Sequence, residues 1–136
     1  MSKIISIDYG LKRIGIAITD ELRIFAFGLT TVSNFEIIPF LKKTINEEQV
    51  DTIVIGKPLK FNNNPSELED QILLFIKKLK KFFPKIIITR YDERFTSSIA
   101  KQTISNSGIN KKKRMNKNLV DKISATIILQ SYLEKK

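Results

Sequence analysis

Cysteine and histidine are both missing from the 136 residues. Without cysteine there is no disulfide framework, no zinc-thiolate centre and no thiol nucleophile. Without histidine the usual general base is gone, and with it every Ser-His-Asp or Cys-His arrangement. Hydrolytic chemistry on this chain must draw on carboxylates, lysines, hydroxyls and metal ions. There is no apolar run long enough to cross a bilayer and no leader of basic, apolar and small residues. The expectation is a cytoplasmic protein with no membrane partner. Internal repeats, linkers and a second Gly-rich phosphate loop are also lacking, so the length predicts one domain over residues 1–136.

Acids are the scarce charge: 14 Asp and Glu stand against 24 Lys and Arg, a net charge of +10. Lysine dominates, with 19 Lys to 5 Arg. Phosphodiester backbone suits such a surface, because phosphate contacts release counterions. The abundance of Lys, Ile and Asn also fits an AT-rich coding sequence, so charge alone leaves both explanations standing. Nothing in the composition separates a monomer from a weak dimer.

What is present is organised around Lys3–Asp20. Ile5 and Ile7 alternate with Ser6 and Asp8, Gly10 supplies a turn, and Ile14, Ile16 and Ile18 resume the alternation, which reads as two strands of a hairpin. A third strand is expected over Ile24–Val32, with Phe25, Phe27 and Leu29 alternating and Gly28 marking a bulge or an edge. Asn34 is a candidate cap for a helix over Phe35–Glu47, striped by Ile37, Ile38, Leu41 and Ile45. Asp51–Gly56 is an apolar strand of the kind buried in parallel sheets. A polar loop over Lys57–Asn64 leads to a helix start at Asn64-Pro65-Ser66-Glu67. That helix carries Leu68, Ile72, Phe75, Ile76, Leu79 and Phe82 on one face, and Pro84 stops it. Lys85–Arg90 reads as a further buried strand, followed by a helix over Thr96–Ser105. Ser105–Asn118 is a basic loop containing Lys111, Lys112, Lys113 and Arg114. A last helix over Leu119–Leu133 is patterned by Val120, Ile123, Ile127 and Leu129, with Ala125 allowing close approach to the sheet. The predicted class is α/β: a mixed sheet of a three-strand antiparallel meander plus parallel strands, flanked by helices.

In such sheets ligands sit beyond the carboxyl ends of the strands. Asp8 ends the first strand and Glu93 follows the last, while Asp121 lies in the first turn of the final helix. Asp8 has two readings, an Asx cap of the turn or an acid directed at a metal or a phosphate. Three carboxylates gathered without a cation repel one another, whereas Mg²⁺ or Mn²⁺ takes them as natural oxygen ligands. Two such ions would support phosphodiester hydrolysis without histidine. Lys12 and Arg13 read either as phosphate contacts or as a solvated turn. Lys111–Arg114 divides between phosphate binding and a solvated loop. Arg94 either clamps a phosphate or orients Asp92 or Asp121.

Four ordered motifs sharpen this. They are Asp8-x-Gly10-x-Lys12-Arg13-Ile14-Gly15-Ile16-Ala17, Ile55-Gly56-x-Pro58-Leu59, Asp92-Glu93-Arg94-Phe95-Thr96-Ser97, and Val120-Asp121-x-Ile123-Ser124-Ala125 running on to Leu133. Together they resemble the YqgF family, also called RuvX, over essentially the whole chain. The resemblance implies an RNase H-like fold related to RuvC resolvases. It also implies maturation of the 5′ end of pre-16S rRNA and, by fold kinship, cutting of branched DNA. Carried over residue by residue, it implies that Asp8, Glu93 and Asp121 are the catalytic, metal-binding acids, with Asp92 able to share the role only if strand alternation turns it inward. Lys12, Arg13 and Arg94 become nucleic-acid contacts, joined by Lys57, Lys60 and Lys111–Arg114. Lys57 and Lys60 depart from the family's usual Gly-Leu-Pro-Leu-Asn, a change that suits phosphate. Two other readings remain: a nucleotide-binding module of the actin and sugar-kinase type, and a non-catalytic rRNA-binding assembly factor. The first needs two lobes to clamp ATP, and ATP titration separates it from a nuclease.

Overall fold

Alternating isoleucines build the centre of the sheet, and short turns set its antiparallel half. The computed structural model describes residues 2–58, 67–93 and 117–135. Its elements run β1 (Lys3–Tyr9), β2 (Arg13–Thr19), β3 (Ala26–Ser33), α1 (Ile37–Glu48), β4 (Val50–Lys57), α2 (Glu67–Phe82), β5 (Ile87–Asp92) and α3 (Lys117–Glu134). The helix expected over Thr96–Ser105, the loop beyond Pro58 and the Lys111–Arg114 run lie outside the described residues.

The five strands are ordered β3-β2-β1-β4-β5. The β1–β2 and β2–β3 pairs are antiparallel, while β1–β4 and β4–β5 are parallel. The expected meander plus parallel strands is therefore the fold that forms. Parallel pairing needs a crossover, and α1 and α2 lie in the chain before β4 and β5 respectively. The period-2 alternation then sorts the core into two layers. Ile5, Ile7, Ile14, Ile16 and Ile18 pack with Ile37, Leu41, Ile72 and Leu79 on the α1/α2 face. Ile4, Ala17 and Val54 pack with Ala125, Ile128 and Leu129 of α3 on the other. No described helix is long and apolar enough to cross a membrane.

Several expectations change. β5 is an edge strand, not a buried one: Ile87 is 61% exposed. β3 is the other edge: Phe27 on it is 54% exposed, since α3 packs on the opposite face of that strand, and Phe25 just before it is 58% exposed. Gly28 does sit at an edge, and the β2–β3 register shifts beside it, between Ile16 and Ala17. Phe82 is exposed at the end of α2. Along α3 the deeply buried residues are Ala125, Ile128, Leu129 and Ser131, while Val120 is exposed. Small sheet residues such as Ala17 leave room for this face, on which Ala125 and Ser131 lie beside the larger Ile128 and Leu129.

Asn34 does not cap α1. Glu36 is the N-cap and makes no side-chain cap bond. Asn34 instead donates from Nδ2 to the Gly10 carbonyl at 3.0 Å and to Tyr9 Oη at 3.3 Å. It thereby pins the β1–β2 turn, which carries Lys12. Gly10 is needed there for space: a Cβ would lie 2.5 Å from the Arg13 carbonyl oxygen.

Candidate active site

Along β1 the residues Ile4, Ser6 and Asp8 share the α3 face, by alternation. Ser6 is fully buried and its Oγ donates to the Ala125 carbonyl at 2.6 Å, hooking α3 onto the central strand. Asp8 is the next residue on that face, at the carboxyl end of β1. Gly15 stands directly opposite it on β2. A methyl group on Gly15 would overlap the Asp121 carbonyl and reach within 3.1 Å of the Asp121 Cβ. The missing side chain lets the backbone of α3 press onto β2 beside Asp8. Gly56 does the same on β4, where a Cβ would meet Ile128 Cδ1 at 2.7 Å and the Glu93 carboxyl at 3.5 Å. Asp121, Ala125 and Ile128 follow an i, i+4, i+7 spacing, so one stripe of α3 makes all three contacts. Farther along, Gln130 Oε1 accepts from the Ala26 N–H at 3.0 Å.

These contacts bring three acids from three elements together. The Asp8 carboxyl is pushed up from its ordinary 3.8 to about 7, chiefly by burial, then by the negative charges of Glu93 and Asp121. Burial disfavours the charged form, and like charges disfavour it further. Asp121 also has a cationic partner: its Oδ2 accepts from Arg13 Nε at 2.7 Å. Among the described residues no three acids close on one point as a ready-made cation cage. The donor set is nevertheless all oxygen and rich in negative charge, which suits a hard divalent cation.

The remaining expected site residues divide. Arg13, first in β2, faces α3 and joins the acids through Asp121, the role the sequence reading had offered to Arg94. Lys12 is exposed in the adjacent turn. Lys57 ends β4 in register with Asp92, and alternation assigns both to the face opposite Gly56 and Glu93. Of the adjacent pair, Glu93 is the one that reaches the acids. Lys60, Arg94, Lys111, Lys112, Lys113 and Arg114 lie outside the described residues.

Sequence reading missed Gly15, Gly56 and Ser6 as builders of the site, and it missed Arg90. Arg90 forks onto Glu69 at 2.8 and 3.1 Å and donates to the carbonyls of Ile55 at 3.3 Å and Gly56 at 3.1 Å. It thereby ties the end of β4 beside Glu93. An arginine within an apolar strand requires such partners, and that was the available signal.

The family model described as RuvX, Holliday junction resolvase, matches residues 2–135. A Flavobacterium psychrophilum protein named "Putative pre-16S rRNA nuclease" is 52% identical over 136 residues, covering 100% of this chain and 99% of that one. A protein of the same name from Phocaeicola vulgatus is 50% identical over 136 residues, covering 100% and 98%. Among solved structures, Thermus thermophilus RuvC in complex with a Holliday junction substrate matches with a TM-score of 0.64 and 13% identity, over 96% of this chain and 92% of that one. Thermus thermophilus RuvC in a second structure matches at 0.57 and 12%, over 98% and 96%. At such identities the likeness concerns the fold, which is RuvC-like and hence of the RNase H type.

Proposed function

The chain belongs to the RuvX family, and from that premise we propose that it is a metal-dependent endonuclease maturing the 5′ end of pre-16S rRNA, acting through one domain over residues 1–136 in the cytoplasm. The observation that carries the chemistry is the placing of Asp121 and Glu93 beside the carboxyl end of β1, where Gly15 opposite Asp8 and Gly56 on β4 admit them, with the Asp8 carboxyl raised chiefly by burial and then by those two charges. The substrate follows from the names of relatives about half identical over their full lengths.

Asp8, Glu93 and Asp121 are the residues that would hold Mg²⁺ or Mn²⁺, as two ions. When bound, the metal supplies a water nucleophile at neutral pH and stabilises charge on the leaving oxygen. The chain's own contribution is positioning. Gly15 and Gly56 admit α3 and Glu93 to the end of β1, and burial thins the water that would screen the acids. Lys12 and Arg13 stand at the rim, where they meet phosphates and counter the repulsion between nucleic acid and three carboxylates. Lys57, Lys60, Arg94 and Lys111–Arg114 extend the same role over a longer footprint. A second reading, cutting of branched DNA, is favoured by the description of the matching family.

The test is cleavage of precursor 16S rRNA and of a four-way DNA junction by purified protein with Mg²⁺ or Mn²⁺. The expected result is a discrete cut at the 5′ end of the mature sequence. Glu93→Gln should slow it by at least about 100-fold, the scale of losing a few kcal/mol of charge stabilisation. Preference for the junction selects the second reading. Absence of metal-dependent cutting of either substrate, or wild-type rates in Glu93→Gln, overturns the nuclease assignment.

A further inference from the structure

The ion pair between Arg13 and Asp121 differs from the other arginine pairs of this protein. Arg90 forks onto Glu69 with both terminal nitrogens, and Arg23 reaches both oxygens of Asp51. Arg13 touches Asp121 at one point, Nε on Oδ2 at 2.7 Å, and has no other partner among the described residues. Its side chain is 33% exposed and that of Asp121 is 26% exposed, so the pair lies at the rim of the site and not beneath it. A guanidinium is planar and rigid, with five N–H donors. When Nε is spent on a carboxylate, the pair of terminal amino groups remains at the far end of the plane, and that end matches two oxygens of one phosphate.

We propose that Arg13 is a bridging residue: its Nε holds Asp121 in place while its terminal amino groups grip a phosphate of the bound nucleic acid. A single rigid group then sets the position of the substrate backbone relative to an acid of the site. The role rests on the nuclease reading above, but its binding half stands apart from cleavage. It also separates the two members of the basic pair. Lys12 is a point charge in an exposed turn, while Arg13 links substrate and acid, so the two are not interchangeable.

The experiment compares wild type, Arg13→Lys and Arg13→Gln on a 5′-labelled RNA hairpin with a single-stranded extension. Binding is measured in EDTA at several salt concentrations, and cleavage with Mn²⁺ at saturating RNA. Thermal melts confirm that each variant is folded, and Arg13→Lys retains the charge if Arg13→Gln does not fold. For Arg13→Gln the slope of log K against log salt should fall by about 0.7–0.9, the value of one phosphate contact. Arg13→Lys should keep that slope and bind within about threefold of wild type, because the charge survives. Its saturated cleavage rate should still fall by about 10-fold or more, because a point charge cannot hold acid and phosphate in one plane. An unchanged slope in Arg13→Gln overturns the phosphate contact, and a wild-type saturated rate in Arg13→Lys overturns the positioning of Asp121. If wild type itself does not cleave, the nuclease reading fails and takes the bridge with it, while an intact slope change would still credit Arg13 with its phosphate contact.

Discussion

Asp8→Asn should melt several degrees higher than wild type in EDTA at pH 8, and by much less at pH 5. The Asp8 carboxyl is raised from 3.8 to about 7 by burial and by Glu93 and Asp121. A group with a raised folded pKa holds its proton more tightly folded than unfolded. Between about pH 4 and pH 7 the unfolded chain has lost that proton while the folded chain retains it, so stability falls as pH rises through this window. Below pH 4 both states are protonated and the penalty is absent; above pH 7 it is complete, on the order of a few kcal/mol. An amide keeps the shape of the side chain and removes the charge, so the substitution relieves the penalty where it is largest. Each kcal/mol corresponds to a shift of roughly 2–8 °C in chains bracketing this size, so relief of even part of the penalty raises the melt by several degrees.

The same substitution should abolish cleavage and most of the metal response. Wild type should melt higher as Mn²⁺ is added, following the logarithm of metal concentration over its dissociation constant. Asp8→Asn should gain little. The opposite pattern would contradict the assignment: a variant melting lower than wild type at pH 8 in EDTA, with wild type indifferent to Mn²⁺. In that case the acid serves the fold, and its loss strands a buried partner.

Gly15→Ala should be the most damaging single-methyl change in the sheet. The added carbon would overlap the Asp121 carbonyl and crowd its Cβ at 3.1 Å. Both neighbours belong to the helix backbone or its root, so relief requires moving α3 off β2. Overpacking of this kind costs roughly 1–3 kcal/mol and occasionally more. Moving Asp121 by about 1 Å is enough to lower the rate by about 100-fold even where the protein stays folded. Gly28→Ala is the internal comparison. Its Cβ would meet Lys122 Cγ at 2.8 Å and Cδ at 3.1 Å, part of a flexible side chain that can swing aside, and Thr126 Oγ1 at 3.1 Å, which need give by only a few tenths of an ångström. That variant should lose less than about 1 kcal/mol and keep its activity. Melting curves and saturated cleavage rates of the two variants, taken side by side, make the check. Equal behaviour would remove the close approach at Gly15 from the account of the site.

Strand identity was legible from one dimension because alternation is a local property. Ile5, Ile7, Ile14, Ile16 and Ile18 announce two strands and their buried face, and the short Gly10 turn makes them a hairpin. Asp8 and Glu93 were legible as candidates, since carboxylates at the ends of apolar strands need partners, and Asp121 on the last helix joined them as a third acid. The motifs containing them carried the family resemblance. Even the disturbance at Gly28 could be read in advance as a bulge or an edge.

Contacts between distant elements were not legible in this way. Hydrophobic pattern does not say which strand ends a sheet, so the strand carrying Ile87 reads as buried and stands exposed at an edge. Asn34 has the chemistry of a cap, but the turn brought Gly10 and Tyr9 within its reach first. The face α3 buries is chosen by the small residues beneath it, Ser6, Gly15, Ala17 and Gly56, which lie on three strands more than 60 residues before the helix. Only the tertiary structure shows that Gly15 and Gly56, lacking side chains, let Asp121 and Glu93 approach Asp8, and that Arg13 meets Asp121 across 108 positions of sequence. Alternation belongs to neighbours along the chain, whereas electrostatic coupling depends on distances in space, and those were decided by how closely α3 could dock.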